Sequence, residues 1–339
     1  MKQLFRKSEF FIGLTIIAIS LFVGFLNESF YSVANIFDLL RSTVVIGILA
    51  MGVLLVLISG GIDVSFPAIA IFSYYATIKL LNVFHFDGGI IWILIVAAGI
   101  GLLLGLFNSI FIAFFKMQTL IATLGTATLY RGILFVFLGT TVINQIPNSL
   151  TNFGKSSIFK IASSDGTSGL SSTIILLVIV ALVTWILLKY TIIGRGIYAL
   201  GGDPTSAKRI GFNLTKLQIF IYGLVGIFSG IAGVVHGSTV RNANPFDLFG
   251  IELNVIAAVV LGGARITGGY GNVQGTLLGV FLVVLINNNL ILMGVSSYWQ
   301  KVVIGMLILV GTSITSYQSR MKANINLLGE EGGLHAINR

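Results

Sequence analysis

The chain has 339 residues, of which 56% are hydrophobic and 9% are charged, whereas ordinary soluble domains carry about 25% charged residues. This composition excludes a soluble globular protein and predicts an integral membrane protein. The net charge of +9 does not indicate a nucleic-acid partner, because most basic residues fall in turns that we assign to one side of the membrane, and the absence of cysteine excludes disulfides and cysteine-ligated metals.

Apolar runs of roughly 17 to 25 residues are long enough to cross a bilayer as helices, and the sequence contains about ten of them. The predicted fold is therefore all-α, a polytopic transmembrane helix bundle that forms one domain over residues 1–339. The eighth run is the weakest because it is short and rich in glycine, so eight or nine crossings remain an alternative. The predicted spans cover approximately residues 10–26, 43–59, 64–81, 90–115, 120–139, 172–188, 217–236, 253–261 with its continuation, 273–290 and 299–316.

Basic residues set the predicted orientation of the bundle. Lys2, Arg6 and Lys7 precede the first span, so the positive-inside rule places the N-terminus in the cytoplasm. Ten crossings return the C-terminal tail, residues 317–339, to the same side. A cleaved signal peptide is an alternative for the first span, but its apolar run exceeds the usual length of about 7 to 15 residues, which favours an uncleaved helix.

The order of the spans predicts an inverted repeat, because spans two to five and spans seven to ten have opposite orientations. The longest predicted outside segment, residues 140–169, is rich in Ser, Thr, Asn and Gly. This segment offers a landing surface for an external partner, and a plain loop is the alternative.

A carboxylate follows a glycine break between the second and third spans. In the sequence GGIDVS at 60–65, Asp63 would stand where unwound backbone and a helix N-terminus face a cavity, as in a translocation path or a gate. The alternative is that Asp63 caps the third span.

A basic residue lies deep in the predicted bundle. Arg131 is about two-thirds of the way along the fifth span, where a lipid-facing arginine costs on the order of 2.5–3.5 kcal/mol, so its side chain should face the protein interior. Pairing with Asp63 or Glu252 would make Arg131 structural, whereas exposure to a water-filled path would make it a pathway or gating residue.

Residues 191–216 form a polar island between two long apolar runs. The island carries Arg195, Lys208, Arg209 and Lys216 against a single acid, so the positive-inside bias places it in the cytoplasm, where a soluble partner would reach it.

The island also carries the start and stop signals of a short helix. Gly201 and Gly202 break the chain, Asp203 is a suitable N-cap, and Pro204 suits the first helical position. The helix is expected to end at Gly211 after about two turns.

An isolated helix of this length is marginal in water and needs a surface to dock against. Ala207 and Gly211 lie four residues apart and predict a stripe of small residues that admits close approach, with Lys208 and Arg209 at the periphery. An ordinary loop with one solvated helical turn is the alternative.

A third glycine-rich region, ELNVIAAVVLGGARITGGYG at 252–271, combines acidic Glu252 with Asn254, small residues and repeated glycine pairs. This pattern is typical of a broken helix near a translocation pathway, in which Glu252 and Asn254 would take part. Tight helix packing alone would also explain the glycines.

The sequence contains no motif that would support an enzymatic function. His85, His236 and His335 are widely separated and show no zinc-ligand spacing. A phosphate-loop-like sequence that ends at 154–156 lacks its leading glycine, and a loose dinucleotide pattern at 194–199 has no preceding strand. We therefore expect no catalytic residues, metal or cofactor in this chain.

Five ordered motifs carry a family resemblance between about residues 50 and 309. They are GGIDVS at 60–65, TLIATLGTATLYRG at 119–132, GRGIYALGGDPTSAKRIG at 194–211, ELNVIAAVVLGGARITGGYG at 252–271 and GVSSYWQKVVIGMLIL at 294–309. Together they resemble the permease subunit of bacterial ABC importers for sugars of the ribose, xylose and galactose type, within the branched-chain amino acid and ribose permease superfamily.

This resemblance implies a type II ABC importer permease fold in the bacterial inner membrane, with both termini cytoplasmic. It implies three protein partners: a cytoplasmic ATPase that binds ATP and Mg, an extracytoplasmic sugar-binding protein, and a second permease copy, identical or paralogous. It also implies that Asp203–Gly211 is the coupling helix. Two departures are Phe66-Pro67, where the family usually has valine-glycine, and Phe212, where isoleucine is common.

Two rival functions and the substrate remain open. A secondary transporter or channel should place paired ionisable groups deep in the spans, and Arg131 is the one clearly deep candidate. A receptor or scaffold has no positive sequence feature in its favour. The permease sequence does not fix the substrate, because the external binding protein normally sets specificity in such systems. Pentoses and hexoses lead, and autoinducer-2 and nucleosides, which similar permeases handle, follow.

Overall fold

The structure, a computed structural model, describes residues 8–163 and 166–292 together with positions 299, 302, 305, 306 and 309. This part of the chain is helical except for its loops and one antiparallel hairpin. Its elements are α1 Ser8–Leu26, α2 Val33–Ile58, α3 Phe66–Val83, α4 Ile90–Ser109, α5 Thr119–Ile133, α6 Asn148–Lys155, β1 Ser157–Ser163, β2 Gly166–Ser171, α7 Ile174–Tyr190, α8 Ile192–Gly202, α9 Pro204–Arg209, α10 Leu214–Val240, α11 Glu252–Leu261 and α12 Val273–Leu292.

The all-helical prediction is confirmed, and short turns of other geometry join its helices. A 3-10 turn, Glu28–Tyr31, connects α1 to α2. The π-helical turns Ile110–Phe114 and Leu134–Leu138 extend α4 and α5. The predicted tenth span and the 317–339 tail fall mainly or wholly outside the described residues.

Seven helices in the described part of the chain are long and apolar enough to cross a membrane, or eight if α7 and α8, bent by 76°, count as one span. The predicted eighth span is α11, which has ten residues and is about 15 Å long, roughly half the hydrocarbon thickness. A full-length helix does not form there because Gly262 and Gly263 end it. The prediction of about ten spans counted this short helix and the run at 299–316.

Helix α2 is the centre of the bundle. Its residues from Gly47 to Ile58 are all buried, since the helix is apolar on every side and is surrounded by α7, α10, α11 and α12. Helix α10 packs in turn against α2, α3 and α4. The first helix of each predicted repeat thus packs on the helices of the other, as expected for two repeats of opposite orientation.

Small residues set the contact between α4 and α10. A Cβ on Gly101 would lie 2.2 Å from the carbonyl oxygen of Gly226, and a Cβ on Gly105 would lie 2.2 Å from that of Tyr222. The two helices therefore touch through their backbones, which glycine permits.

The segment predicted as the longest outside loop is folded. It contains α6 and the β1–β2 hairpin, and Ile143 forms an isolated bridge with Ala243. The Ser149 hydroxyl donates a hydrogen bond to the Asp87 carboxylate, and this bond is the main cause of the lowered pKa of Asp87. Arg41 Nη2 donates to the Gly154 carbonyl at 2.8 Å. The segment is thus tied to the bundle at both ends of α6.

Candidate coupling surface and intramembrane polar sites

The predicted short helix of the polar island is present as α9. The Asp203 carboxylate caps it, accepting a hydrogen bond from the Thr205 amide at 2.9 Å and one from the Ser206 hydroxyl at 2.5 Å. The Ser206 bond is the main cause of the lowered pKa of Asp203. Pro204 occupies the first turn, where its missing N–H costs nothing. The predicted helix start is confirmed.

The helix ends where the sequence predicts. Gly211 has φ +98°, a left-handed conformation that glycine adopts readily. The Gly211 amide donates to the Lys208 carbonyl, and the Phe212 amide donates to the Ala207 carbonyl, both at 3.1 Å. These two bonds satisfy carbonyls at the end of α9, as C-terminal caps generally do.

The exposed face of α9 differs from the predicted one. Ala207 is 1% exposed and packs within its own chain, so the predicted Ala207–Gly211 stripe is not a surface. Ala207 is small because α9 packs on the bundle there, whereas Gly211 serves the left-handed turn that ends the helix. Lys208, Arg209 and Gly211 are exposed, and Ile210 is 71% exposed. The face that α9 presents is therefore basic, with one large apolar side chain.

Helix α8, which precedes α9, was not predicted. It begins after Thr191, whose hydroxyl accepts a hydrogen bond from the Gly194 amide, and buries Ile197 and Leu200. The spacing of these apolar residues was a usable helix signal. Glycine is needed at position 194 because a Cβ there would lie 2.2 Å from the Leu187 carbonyl oxygen, inside the bend between α7 and α8.

Three glycine pairs that stand far apart in the sequence meet directly before α9. A Cβ on Gly201 would lie 1.8 Å from the Ile58 carbonyl oxygen, and one on Gly268 would lie 2.6 Å from the Gly201 carbonyl oxygen. The Gly269 amide donates to the same Ile58 oxygen at 2.8 Å, and a Cβ on Gly60 would lie 3.5 Å from the Gly201 Cα. We call this contact of Gly60, Gly201, Gly268 and Gly269 around the Ile58 carbonyl the glycine junction.

Asp63 lies in a buried hydrogen-bond network. It is 1% exposed, and its Oδ1 accepts from the Ser65 amide at 2.7 Å and the Ser65 hydroxyl at 2.6 Å. Asn108 donates to the Ser65 hydroxyl at 2.7 Å, and the Tyr130 hydroxyl lies 2.7 Å from Asn108 Oδ1. This supports the capping alternative, although Ser65 occupies the N-cap position. The network thus joins α3, α4 and α5 around the buried Asp63 carboxylate.

Arg131 pairs with Glu252, not with Asp63. Its Nη2 lies 2.5 Å from Glu252 Oε1, and its guanidinium lies 4.2 Å from the centre of the Phe249 ring. The side chains of Arg131 and Glu252 are 29% and 15% exposed. This ion pair links α5 to α11, one helix from each predicted repeat. Asn254 follows on α11, half-buried.

Aromatic side chains surround this ion pair, and sequence analysis missed them. The Phe135 and Phe246 ring centres are 4.9 Å apart, and Phe249 lies 6.2 Å from Phe135. Phe246 is 49% exposed. The usable signal was the pair of phenylalanines at 246 and 249 in a segment between spans. We call Arg131, Glu252 and these three phenylalanines the outer cluster, since the predicted orientation places them toward the outside.

A hydrogen bond between His236 and Asp247 lies at the same end of the bundle. His236 Nε2 is 2.9 Å from Asp247 Oδ2, and the Asn244 side chain donates to Asp247 Oδ1 at 2.8 Å. The Tyr74 hydroxyl donates to the Asn242 carbonyl at 3.0 Å. These contacts hold the segment between α10 and α11 against α3.

Comparison with known proteins identifies the family of this chain. The family described as "Branched-chain amino acid transport system / permease component" matches residues 35–311. The chain belongs to this permease family. It is 36% identical over 309 residues to the ribose import permease protein RbsC of Bacillus subtilis, covering 91% of this chain and 92% of the relative.

Other relatives agree. The ribose import permease protein RbsC of Haemophilus influenzae is 34% identical over 94% of this chain and 95% of its own length. The autoinducer 2 import system permease protein LsrC of Escherichia coli is 30% identical over 87% of this chain and 83% of its own. No solved structure gave a significant match. The chain is thus a multi-pass membrane protein and a transporter subunit, not an enzyme.

Proposed function

We propose that this chain is the permease subunit of an ATP-driven importer for a pentose or hexose in the bacterial cytoplasmic membrane, with both termini in the cytoplasm. The names of the ribose import permeases support ribose or a similar sugar as the solute. Autoinducer-2 is the second candidate, because a permease for it is also similar to this chain. Uptake of labelled ribose and labelled autoinducer-2 by cells that carry the complete importer distinguishes the two.

The exposed face of α9 is the observation that supports coupling to an ATPase. A cytoplasmic ATPase, which binds ATP and Mg itself, would hold α9 in a surface groove. Lys208 and Arg209 would contact acidic groups at its rim, while Ile210, which is 71% exposed, would enter an apolar pocket. ATP binding would close the ATPase pair, move α9 and rock the spans.

Charge reversal on α9 tests this coupling. Arg209→Glu should reduce co-purification of the ATPase and ATP-driven uptake at least tenfold, while membrane insertion persists. The matched control is Lys160→Glu on the β1–β2 hairpin, where a basic residue that is also exposed is replaced. Equal ATPase binding by both variants would contradict the assignment of α9.

A second permease copy would cover the exposed face of α5, which points away from the bundle. Exposed residues on this helix form a stripe that contains small side chains, and a groove runs along it. The stripe comprises Ile121, Leu124, Gly125, Thr128, Gly132 and Val136. The stripe lies beside Arg131, so the path between two copies would pass the outer cluster.

Introduced cysteines test this arrangement, because the chain has none. Thr128→Cys should crosslink two copies under mild oxidation. Ile95→Cys on α4, which is also exposed, should not, since we expect that face to contact lipid. The reverse pattern would place the second copy on another helix.

The outer cluster would line the path, with Arg131, Glu252 and Asn254 facing the solute. Aromatic rings and charged planar groups together suit a sugar, which has apolar C–H faces and hydroxyl groups. The external sugar-binding protein would dock on the folded segment of α6 and the hairpin. Asp63, which is buried, would support the path through α3 and α5.

One observation favours the rival class of secondary transporter. Arg131 and Glu252 form the deep pair of ionisable groups that such a protein needs. Vesicles that hold the permease without its ATPase decide the question. Uptake driven by a proton or sodium gradient would support the rival, and uptake that requires the ATPase and ATP would support the importer.

A further inference from the structure

The glycine junction lies at the foot of α9, only three residues before its first residue. At this point Gly201 of α8 meets Ile58 at the end of α2 and Gly268 and Gly269 of the α11–α12 loop through backbone atoms. The Tyr198 hydroxyl of α8 also donates to the Gly271 carbonyl of that loop at 2.6 Å. The Gly269 amide and the Ile58 carbonyl form a hydrogen bond of 2.8 Å across the contact. Because no flexible side chain lies between these backbones, a displacement of Gly201 must move Ile58 and Gly268 as well.

A continuous set of contacts leads from the junction to α5. After Gly60 the chain runs along the N-terminal half of α5 before α3 begins. The Ile62 amide donates to the Thr119 hydroxyl at 2.9 Å, and the Val64 amide donates to the Thr123 hydroxyl at 3.3 Å. Thr119 and Thr123 lie on the helix that carries Arg131 further along. The break between α2 and α3 is therefore bonded to α5 by its own backbone.

Adjacent glycines at the junction are not equivalent. A Cβ at Gly201 would collide with the Ile58 carbonyl oxygen at 1.8 Å, so the chains would have to separate by more than about 1 Å. A Cβ at Gly202 would meet nothing within 4 Å, and its φ is not left-handed. The two positions thus separate the effect of the contact from the effect of losing a glycine before α9.

We propose that the glycine junction is the joint that transmits movement of α9 to the α2–α3 break and, through Thr119 and Thr123, to α5. Gly201 and Gly268 are positioning residues for transport, and they touch neither the solute nor the ATPase. This inference rests on the proposed role of α9 as the part that the ATPase moves. The sequence motifs at 60–65, 194–211 and 252–271 then share one purpose, since each contributes a glycine to the joint.

Substitutions in the reconstituted importer test the joint. The measured quantity is sugar transported per ATP hydrolysed, alongside binding of the ATPase to the permease. Gly201→Ala should lower the ratio at least tenfold with ATPase binding unchanged, because α9 keeps its exposed face. Gly202→Ala should match the wild type. A wild-type ratio for Gly201→Ala would overturn the inference.

Hydrogen exchange on the unaltered complex decides the matter if Gly201→Ala does not assemble. Adding a non-hydrolysable ATP analogue should change amide protection at 203–211 and, together with it, at 61–65. A change confined to 203–211 would refute the joint and leave the proposed function intact. No change at 203–211 would contradict both, because α9 would then not respond to the ATPase.

Discussion

The two ends of the bundle are held together by opposite means. At the end that carries α9, the glycine junction brings three segments together because glycine has no side chain, with a Cβ of Gly201 only 1.8 Å from a carbonyl oxygen. At the end that carries the outer cluster, the two predicted repeats meet through side chains, and Arg131 and Glu252 are partly exposed. The first kind of contact tolerates no added atom. The second is made by side chains that are partly exposed.

The largest difference in stability is expected between two glycine-to-alanine variants, one at each end of the bundle. Gly268→Ala should destabilise the protein by about 1–2 kcal/mol for its left-handed φ of +89° and by about 1–3 kcal/mol more for the collision with Gly201. Gly250→Ala, beside the outer cluster, has a similar φ of +82° but open space, so the conformational cost alone applies. Thermal unfolding in detergent measures both. Equal losses would show that the junction is no tighter than a surface turn.

The ion pair of the outer cluster should show a smaller, strongly coupled effect. Glu252→Gln leaves Arg131 without its partner and should cost about 3 kcal/mol. The double variant Arg131→Gln with Glu252→Gln should cost less than the sum of the single variants, by about 0.5–3 kcal/mol. A double-mutant cycle on thermal stability measures this coupling. Additive losses would mean that the two charges do not interact.

The hydrogen bond between His236 and Asp247 should contribute less. His236 and Asp247 are about one-fifth and one-quarter exposed, so His236→Gln should cost about 0–1 kcal/mol. Thermal stability of this variant is the measurement, with Lys160→Glu as the surface control. A loss above about 2 kcal/mol would show that this pair, and not Arg131 with Glu252, fixes the outer end.

The smallest effect concerns the order of α9 at acid pH. The pKa of Asp203 is lowered by its hydrogen bonds to Ser206 and Thr205, so its stabilising effect is fully present above its unfolded value of about 3.9 and is lost as the pH falls through the lower folded value. Exchange of amides at 203–211 should therefore be constant from pH 7 to about pH 4, after correction for intrinsic rates, and rise below it. Asp203→Asn should flatten this rise, and an unaltered profile would argue against the cap.

Local signals predicted much of this fold. The start and end of α9 followed from Asp203, Pro204 and Gly211, because a cap, a first-turn proline and a left-handed glycine act within a few residues of themselves. Arg131 was predicted to need an interior partner from the cost of burying its charge, although the choice between two acids required the packing of α5 on α11.

Contacts between distant segments were not predictable from one sequence. The glycine pairs were visible as chain breaks, but that Gly60, Gly201 and Gly268 touch depends on how α2, α8 and the α11–α12 loop are arranged in space. Ala207 misled for the same reason, since a small residue on a short helix serves an outside partner or its own bundle equally well. Burial, which only the assembled bundle determines, distinguishes the two.

The bend of 76° after α7 turns α8 back toward α2 and α10. The number of residues from Thr191 to Gly201 therefore determines where Gly201 lies relative to α2. One residue inserted within this stretch would rotate everything downstream by about 100° and carry Gly201 away from the Ile58 carbonyl. Natural relatives of this chain should accordingly tolerate insertions around the hairpin, while keeping the number of residues between 191 and 201 constant.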